Sequence, residues 1–154
     1  MKKITPFLWF DHEAGEAAKF YTSIFKDSKI VDTTILENTP SGTVEIVTII
    51  LFGQEFQLMS AGPLFTFNEA ISFVVNCETQ EEIDHYWDKL SADPNAGQCG
   101  WLKDKYGVSW QIVPTVMHAM QKSKDKKKLA RVTEAFLQMK KFDIAALQRA
   151  YDAA

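Results

Sequence analysis

The strongest constraint on this fold is an order of hydrophobic periods that runs through the chain twice. The opening segment KITPFLWF has strand character, and EAGEAAKFYTSIF follows it with Ala14, Ala17, Ala18, Tyr21, Ile24 and Phe25 at helical spacing. Asp11 stands where an N-cap would stand. Residues Lys29 to Glu37 and Thr43 to Phe52 are rich in Ile, Val and Thr, and Asn38-Thr39-Pro40-Ser41-Gly42 separates them as a turn. Gly53-Gln54 then leads tightly into EFQLMS. The order is strand, helix, strand, strand, strand.

After a loop from Ala61 to Asn68 the order restarts. Ile71 to Asn76 alternates as a strand, and Thr79-x-x-Glu82 is a capping box that opens a helix with Ile83, Tyr86, Trp87 and Leu90 on its apolar face. The breaker cluster Asp93-Pro94-Asn95-Ala96-Gly97 follows, then a hairpin from Gln98 to Lys103 and from Val108 to Pro114. This second run is one strand short of the first. Past Pro114 the chain reads as helices: a short one to Gln121, a charged SKDKKK stretch, a stripe of Leu129, Val132, Phe136 and Met139, and a last helix opening at Asp143. Phe142 and Leu147 are spaced as a hydrophobic staple across that cap. The class is therefore α+β, with a first module over 1–60, a linker over 61–69, a second module over 70–114 and a helical tail over 115–154.

Composition narrows the partners. Seventeen basic residues against 20 acidic ones, interspersed, give a net charge of -3 and no broad positive surface for phosphate backbones, so no nucleic-acid partner is expected. The apolar run Ile4 to Phe10 stops at Asp11-His12-Glu13, too short for a secretory segment, and no stretch nears the roughly 18 apolar residues of a membrane span. Cys77 and Cys99 are too few for a disulfide framework or a zinc knuckle and suit free thiols. A cytoplasmic protein with no membrane partner is expected.

One residue in the hairpin GWLKDKYGVSWQIV does not fit a plain core. Gln111 stands between Trp110 and Ile112, and a buried amide without hydrogen-bond partners costs roughly 1–3 kcal/mol. It is either a structural pin or part of a ligand site.

The segments ITPFLWFDHEAGEAAKFYTSIF, EFQLMSAGP, ETQEEIDHYWDKL and GWLKDKYGVSWQIVP resemble the PhnB-like branch of the vicinal oxygen chelate superfamily, the glyoxalase and bleomycin-resistance group. The tail EAFLQMKKFDIAALQRAY is similar to one common in that branch. The resemblance implies two βαβββ modules, the second with room for one strand fewer, that curl their sheets into an open cleft with helices outside, as a homodimer.

Strand parity then assigns side chains to that cleft. Trp110 and Ile112 should meet a helix, leaving Ser109 and Gln111 inward; Phe56 and Leu58 go to the helix side, leaving Gln57 and Met59 inward. Ser72 and Val74 line the cleft opposite Phe73 and Val75. In the first strand Phe7 and Trp9 are expected outward and Leu8 and Phe10 inward, and Tyr106 is a rim contact at the hairpin tip. The set Leu8, Phe10, Gln57, Met59, Ser72, Val74, Tyr106, Ser109 and Gln111 suits a small, partly apolar organic ligand.

Metal-dependent members of the superfamily carry His, Glu or Gln at four cleft positions, which the resemblance places here at Pro6, Gln57, Ala70 and Gln111. Proline and alanine offer no side-chain donor, and two neutral amides do not make a tight site for zinc, nickel or iron. No metal and no other cofactor are expected. The family also carries a demethylubiquinone methyltransferase label, but the sequence has no Gly-rich loop between strand and helix to hold a methyl donor. His12, His85 and His118 fall at a helix start, on a helix beside Tyr86 and in the tail, so none is expected to share the cleft with a carboxylate or nucleophile as a catalytic base. The first reading is a metal-free small-molecule-binding protein; the alternatives are an enzyme acting on a small metabolite and a dimeric interaction module built on the tail. Turnover is left open.

Overall fold

A computed structural model describes residues 2–154. The chain forms two compact units, Met1–Phe67 and Asn68–Ala154.

In the first unit the elements are β1 (Phe7–Phe10), α1 (Ala14–Ile24), β2 (Ser28–Thr39), β3 (Gly42–Leu51) and β4 (Gln54–Ser60), and the sheet order is β1-β4-β3-β2. Helix α1 lies on one face because its apolar stripe, Ala14, Ala17, Ala18, Tyr21 and Ile24, is continuous and wholly buried. The small alanines let the helix approach the sheet closely. Beneath it are Val47, Ile49, Phe56 and Leu58, all buried. Asp11 does not cap this helix. Its start is satisfied from the sheet instead: the Ser60 hydroxyl accepts from the Ala14 N–H at 2.9 Å, and the Glu45 carboxylate lies against Gly15 at the positive end of the helix dipole.

In the second unit β5 (Ser72–Cys77), α2 (Gln80–Leu90), β6 (Trp101–Lys103) and β7 (Ser109–Pro114) form a three-stranded sheet of order β5-β7-β6. Helix α2 covers one face with Ile83, Tyr86, Trp87 and Leu90, all buried as the period requires. The Thr79 hydroxyl accepts from the Glu82 N–H at 3.2 Å, while the Glu82 carboxylate accepts from the Glu78 N–H at 2.7 Å. The reciprocal bond of the capping box thus reaches one residue further back than the simple motif does.

Helices α3 (Thr115–Gln121), α4 (Lys126–Leu137) and α5 (Ile144–Asp152) complete this unit. The lysine-rich start of α4 is held by Asp125, which accepts from the Lys127 and Lys128 N–H groups. The segment between α4 and α5 is stitched back to the hairpin. The Cys99 N–H donates to the Met139 carbonyl at 2.9 Å and the Gly100 N–H to the Lys140 carbonyl at 2.8 Å. Gln80 on α2 clips the same segment from both sides, its amide N–H donating to the Phe142 carbonyl and its oxygen accepting from the Ile144 N–H. Phe142 and Leu147, on either side of the Asp143 cap, are both buried. Among the described residues no helix is long and apolar enough to cross a membrane.

Candidate functional site

Each sheet carries a helix, α1 or α2, on one face, so the candidate site is sought on the opposite face. In β7 and β5 the parallel register sets Ser72 beside Ser109, Val74 beside Gln111 and Phe73 beside Trp110. Trp110 and Ile112 are buried with α2 packed against their strand. Ser72, Val74, Ser109 and Gln111 therefore share the opposite face. The antiparallel pairing of β6 adds Trp101 beside Gln111 and Lys103 beside Ser109.

Gln111 is half-buried, and its amide donates to the Ser72 hydroxyl at 2.9 Å. This bond crosses two strands and answers the need of an amide in an apolar strand. Ser109 is different. It is 1% exposed, and among the described residues its hydroxyl oxygen has no hydrogen-bond partner. It lines a cavity of about 270 Å³ together with Trp101, Leu102, Lys103, Glu69 and the loop that carries Asp93 and Gly97. The shortness of β6 and the loop leading into it leave this cavity beside the sheet, in the module that has one strand fewer.

At the cavity Lys103 and Glu69 form an ion pair, and Asp93 adds a further carboxylate to the lining. The hydrogen bond from Lys103, then Glu69's own backbone N–H, then the charge of Lys103 hold the Glu69 carboxyl below the usual carboxylate range. Its depressed value means that the pair's contribution is present above the unfolded carboxyl's range and is lost as pH falls through the folded one. The pair is exposed and solvent-screened, so its role is to orient the ammonium rather than to stabilise the fold.

In the first unit the register corrects the expected facing of β1. The parallel pairs Leu8–Leu58 and Phe10–Ser60 put Leu8 and Phe10 on the α1 side, where both are buried. Phe7 and Trp9 lie on the open face with their register partners Gln57 and Met59. The reason is long-range: Leu8 and Phe10 complete the layer begun by Leu58, and the Trp9 indole N–H finds the Gly62 carbonyl at 2.8 Å and its ring packs edge-on to Phe65. Tyr106 sits half-buried in the hairpin tip, with Lys105 over its ring, and is not one of the residues that line the cavity.

The donor set does not fit a tightly held divalent ion. Gln57 has Phe7 as its open-face neighbour, and the Pro6 carbonyl is engaged by the Gln57 N–H at 2.9 Å. The Gln111 amide is bound to Ser72, and Ala70 lies in an Asn68-bonded turn. Among the described residues no three His, Cys, Asp or Glu side chains converge. His118 pairs with Asn76 at 3.0 Å, and His12 sits among Asp11 and Glu13 on the surface.

Thiol chemistry is divided between the two cysteines. Burial first, then the nearby Glu82 charge, push the Cys77 thiol up to about 12. In the native protein at pH 8 a chromogenic disulfide reagent is expected to titrate Cys99 alone, with Cys77 reacting only after unfolding. Two fast native thiols would contradict this burial. The sign of the linkage is alkaline: the neutral thiol's contribution is whole below the unfolded cysteine's value and is lost as pH rises toward about 12.

An α+β chain of two such sheets, each covered on one face by the helix between its first two strands, has the glyoxalase and bleomycin-resistance fold of the vicinal oxygen chelate superfamily. Within it, the chain belongs to the PhnB-like family described as 3-demethylubiquinone-9 3-methyltransferase, which matches residues 2–113. It is similar to a PhnB protein from Bacillus cereus, with 38% identity over 74% of this chain and 100% of that one and a TM-score of 0.61. A protein from Pseudomonas aeruginosa shares the fold at 17% identity, covering 74% and 98% of the two chains with a TM-score of 0.56. So does the fosfomycin resistance protein FosX from Listeria monocytogenes, solved with Mn(II) and 1S,2S-dihydroxypropylphosphonic acid, at 12% identity, 73% and 93% coverage and a TM-score of 0.53. No curated protein matches the chain.

Sequence reasoning missed Trp101, Lys103 and Glu69. The signal for the first two was present, since the five residues from Asp104 to Val108 set Lys103 opposite Ser109 and carry parity across to Trp101.

Proposed function

We propose that the chain is a metal-free binding protein for a small amphipathic molecule, held in the second unit at the cavity beside Ser109. The observation that carries this reading is the Ser109 hydroxyl. A buried hydroxyl without a partner costs roughly 1–3 kcal/mol, and a polar atom of a ligand in the cavity would remove that cost. Trp101 offers a flat apolar wall, and Lys103, already oriented by Glu69, offers a donor to an anionic or carbonyl group. Gln111 and Ser72 continue the polar track along the same face. Gln57 and Met59 give the first unit an amide and a thioether on its own open face, available to the same class of molecule.

Methyl transfer, which the family description names, finds less support. Gly53, Gly62, Gly97, Gly100 and Gly107 adopt positive φ in connections, Gly42 does so at the first position of β3, and Gly15, at the start of α1, faces the Glu45 carboxylate. That single glycine does not make the Gly-rich strand-to-helix loop that would hold a methyl donor.

The test is native mass spectrometry of the purified protein, with any retained small molecule identified and its affinity measured by calorimetry. Ser109→Ala and Trp101→Ala are each expected to weaken binding by about tenfold or more, with the melting temperature unchanged or raised for Ser109→Ala. Retention of the molecule at full affinity by both variants would sink the cavity assignment, and its steady conversion to a product would replace binding with turnover.

A further inference from the structure

The loop that walls the Ser109 cavity carries a second carboxylate in a fixed place. Residues 92–97 are held by four hydrogen bonds: the Ala92 N–H donates to the Lys103 carbonyl at 2.9 Å, the Trp87 indole to the Pro94 carbonyl at 3.0 Å, the Ala96 N–H to the Asp93 carbonyl at 3.0 Å and the Lys140 ammonium to the Asn95 carbonyl at 2.6 Å. Gly97 ends the loop with φ +94°, so close to its neighbours that a Cβ would stand 2.4 Å from the Trp101 carbonyl and 2.9 Å from the Trp87 ring. One oxygen of Asp93 accepts from the Asn95 N–H at 3.0 Å, the bond of an Asx turn. Its other oxygen has no protein partner among the described residues, and Asp93 lines the cavity.

The lining thus holds three charged side chains, Glu69, Asp93 and Lys103, two negative and one positive. Lys103 is already met by Glu69, which leaves the Asp93 carboxylate without a counter-charge. An anionic ligand group brought to Lys103 would compete with Glu69 and lie in a cavity that Asp93 also walls. A cation meets no such opposition, because it completes the charge balance at Asp93. The same cavity offers the Trp101 indole, and the face of an indole attracts an ammonium ion within about 6 Å. The unpartnered Ser109 hydroxyl is donor and acceptor alike, so it serves whichever polar group reaches it and the carboxylates choose the charge. A carbonyl elsewhere on the molecule still suits Lys103.

We propose that the molecule held at this cavity is an organic amine in its ammonium form, with an aromatic body along Trp101 and its cationic head at Asp93. This rests on the reading of the Ser109 cavity as a ligand site and adds the ligand's charge to it. Asp93 is then the residue that selects the head group, while Glu69 acts through Lys103 by keeping its ammonium occupied. Asp93 is exposed, so its pairing with the head group is of modest strength.

The test is a calorimetric titration with phenylpropylamine, phenylpropanol and phenylpropanoate, which share a body and differ in the charge of the head group. The amine is expected to bind about five- to tenfold more tightly than the alcohol, and the carboxylate more weakly than either. Asp93→Asn keeps an acceptor for the Asn95 N–H, so the loop holds, and should bring the amine to within about twofold of the alcohol. Glu69→Gln leaves Lys103 without its ion-pair partner and should raise the affinity for the carboxylate by about threefold. Equal binding of amine and alcohol, tightest binding of the carboxylate, or an amine preference that survives Asp93→Asn overturns the amine assignment. If Trp101→Ala still weakens the probes in that case, the cavity itself stands as the ligand site. Probes that fail to bind, or that bind Trp101→Ala as tightly as the parent chain, overturn the cavity site and the amine assignment with it.

Discussion

Replacing Asp104 with alanine is expected to lower the unfolding free energy by about 3–5 kcal/mol, the largest loss of any single polar substitution in the second unit. The four-residue turn Asp-Lys-Tyr-Gly looks like surface, yet Asp104 is 2% exposed. One carboxylate oxygen accepts from the Tyr106 and Val108 N–H groups at 2.9 and 3.0 Å, and the other accepts from the Trp110 indole at 2.9 Å. Removing the carboxylate strands three donors in a place with little water. Because Trp110 fills the layer under α2, the loss spreads from the turn to the core. Asp104→Asn keeps one acceptor for the two backbone groups but turns an N–H toward the indole, and should cost about 1–2 kcal/mol. Urea titration followed by tryptophan fluorescence measures both. A loss below 1 kcal/mol for the alanine variant would show that the turn is held by its backbone alone.

Gly100→Ala should cost about 3 kcal/mol, a fall of roughly 6–12 °C in melting temperature for a chain of this size. Gly100 has φ +81°, and a methyl group there would meet the Phe142 ring at 2.4 Å and the Ile112 carbonyl at 2.9 Å. The ring cannot yield cheaply, because Phe142 is 2% exposed and its carbonyl is held by Gln80. The same glycine donates to Lys140 and accepts from Ile112, so its displacement loosens the tail and the hairpin together. Limited proteolysis should then cut between residues 122 and 143 sooner than in the parent chain. Equal melting and equal cleavage would mean that the backbone relaxes locally without cost.

The sequence made the helices legible because their apolar residues recur at a spacing that only a helix satisfies. Both α1 and α2 bury the faces that their periods define. The second sheet was readable for a similar reason: SWQIV alternates in size and polarity, so parity could separate Trp110 and Ile112 from Ser109 and Gln111. Strand β1 defeats that reasoning. Phe7, Leu8, Trp9 and Phe10 are apolar on both faces, and four residues hold no period. What turns Leu8 and Phe10 under α1 is the parallel register with a strand fifty residues away. The burial of Asp104 is illegible in the sequence for a related reason, since its third partner, Trp110, belongs to the layer under α2 rather than to the turn. The Ser109 cavity depends on how the loop before β6 runs, and no local pattern encodes that path. Its wall residues Trp101 and Lys103 could have been found by extending parity across the hairpin, whereas Glu69 could not.

The stitching of the tail to the hairpin also sets a timetable for synthesis. Every strand pair of the first unit lies within residues 7–60, so that unit can close while the rest of the chain is still being made. The second unit has no such freedom. Gly100 waits for Lys140, and both sides of the Gln80 amide wait for Phe142 and Ile144. Until those residues leave the ribosome, the hairpin that carries Ser109 and Gln111 lacks its cover. The nascent chain therefore passes through a stage with one finished unit and one open one, and the interval is set by the translation of the 30 codons from the end of β7 at Pro114 to Ile144.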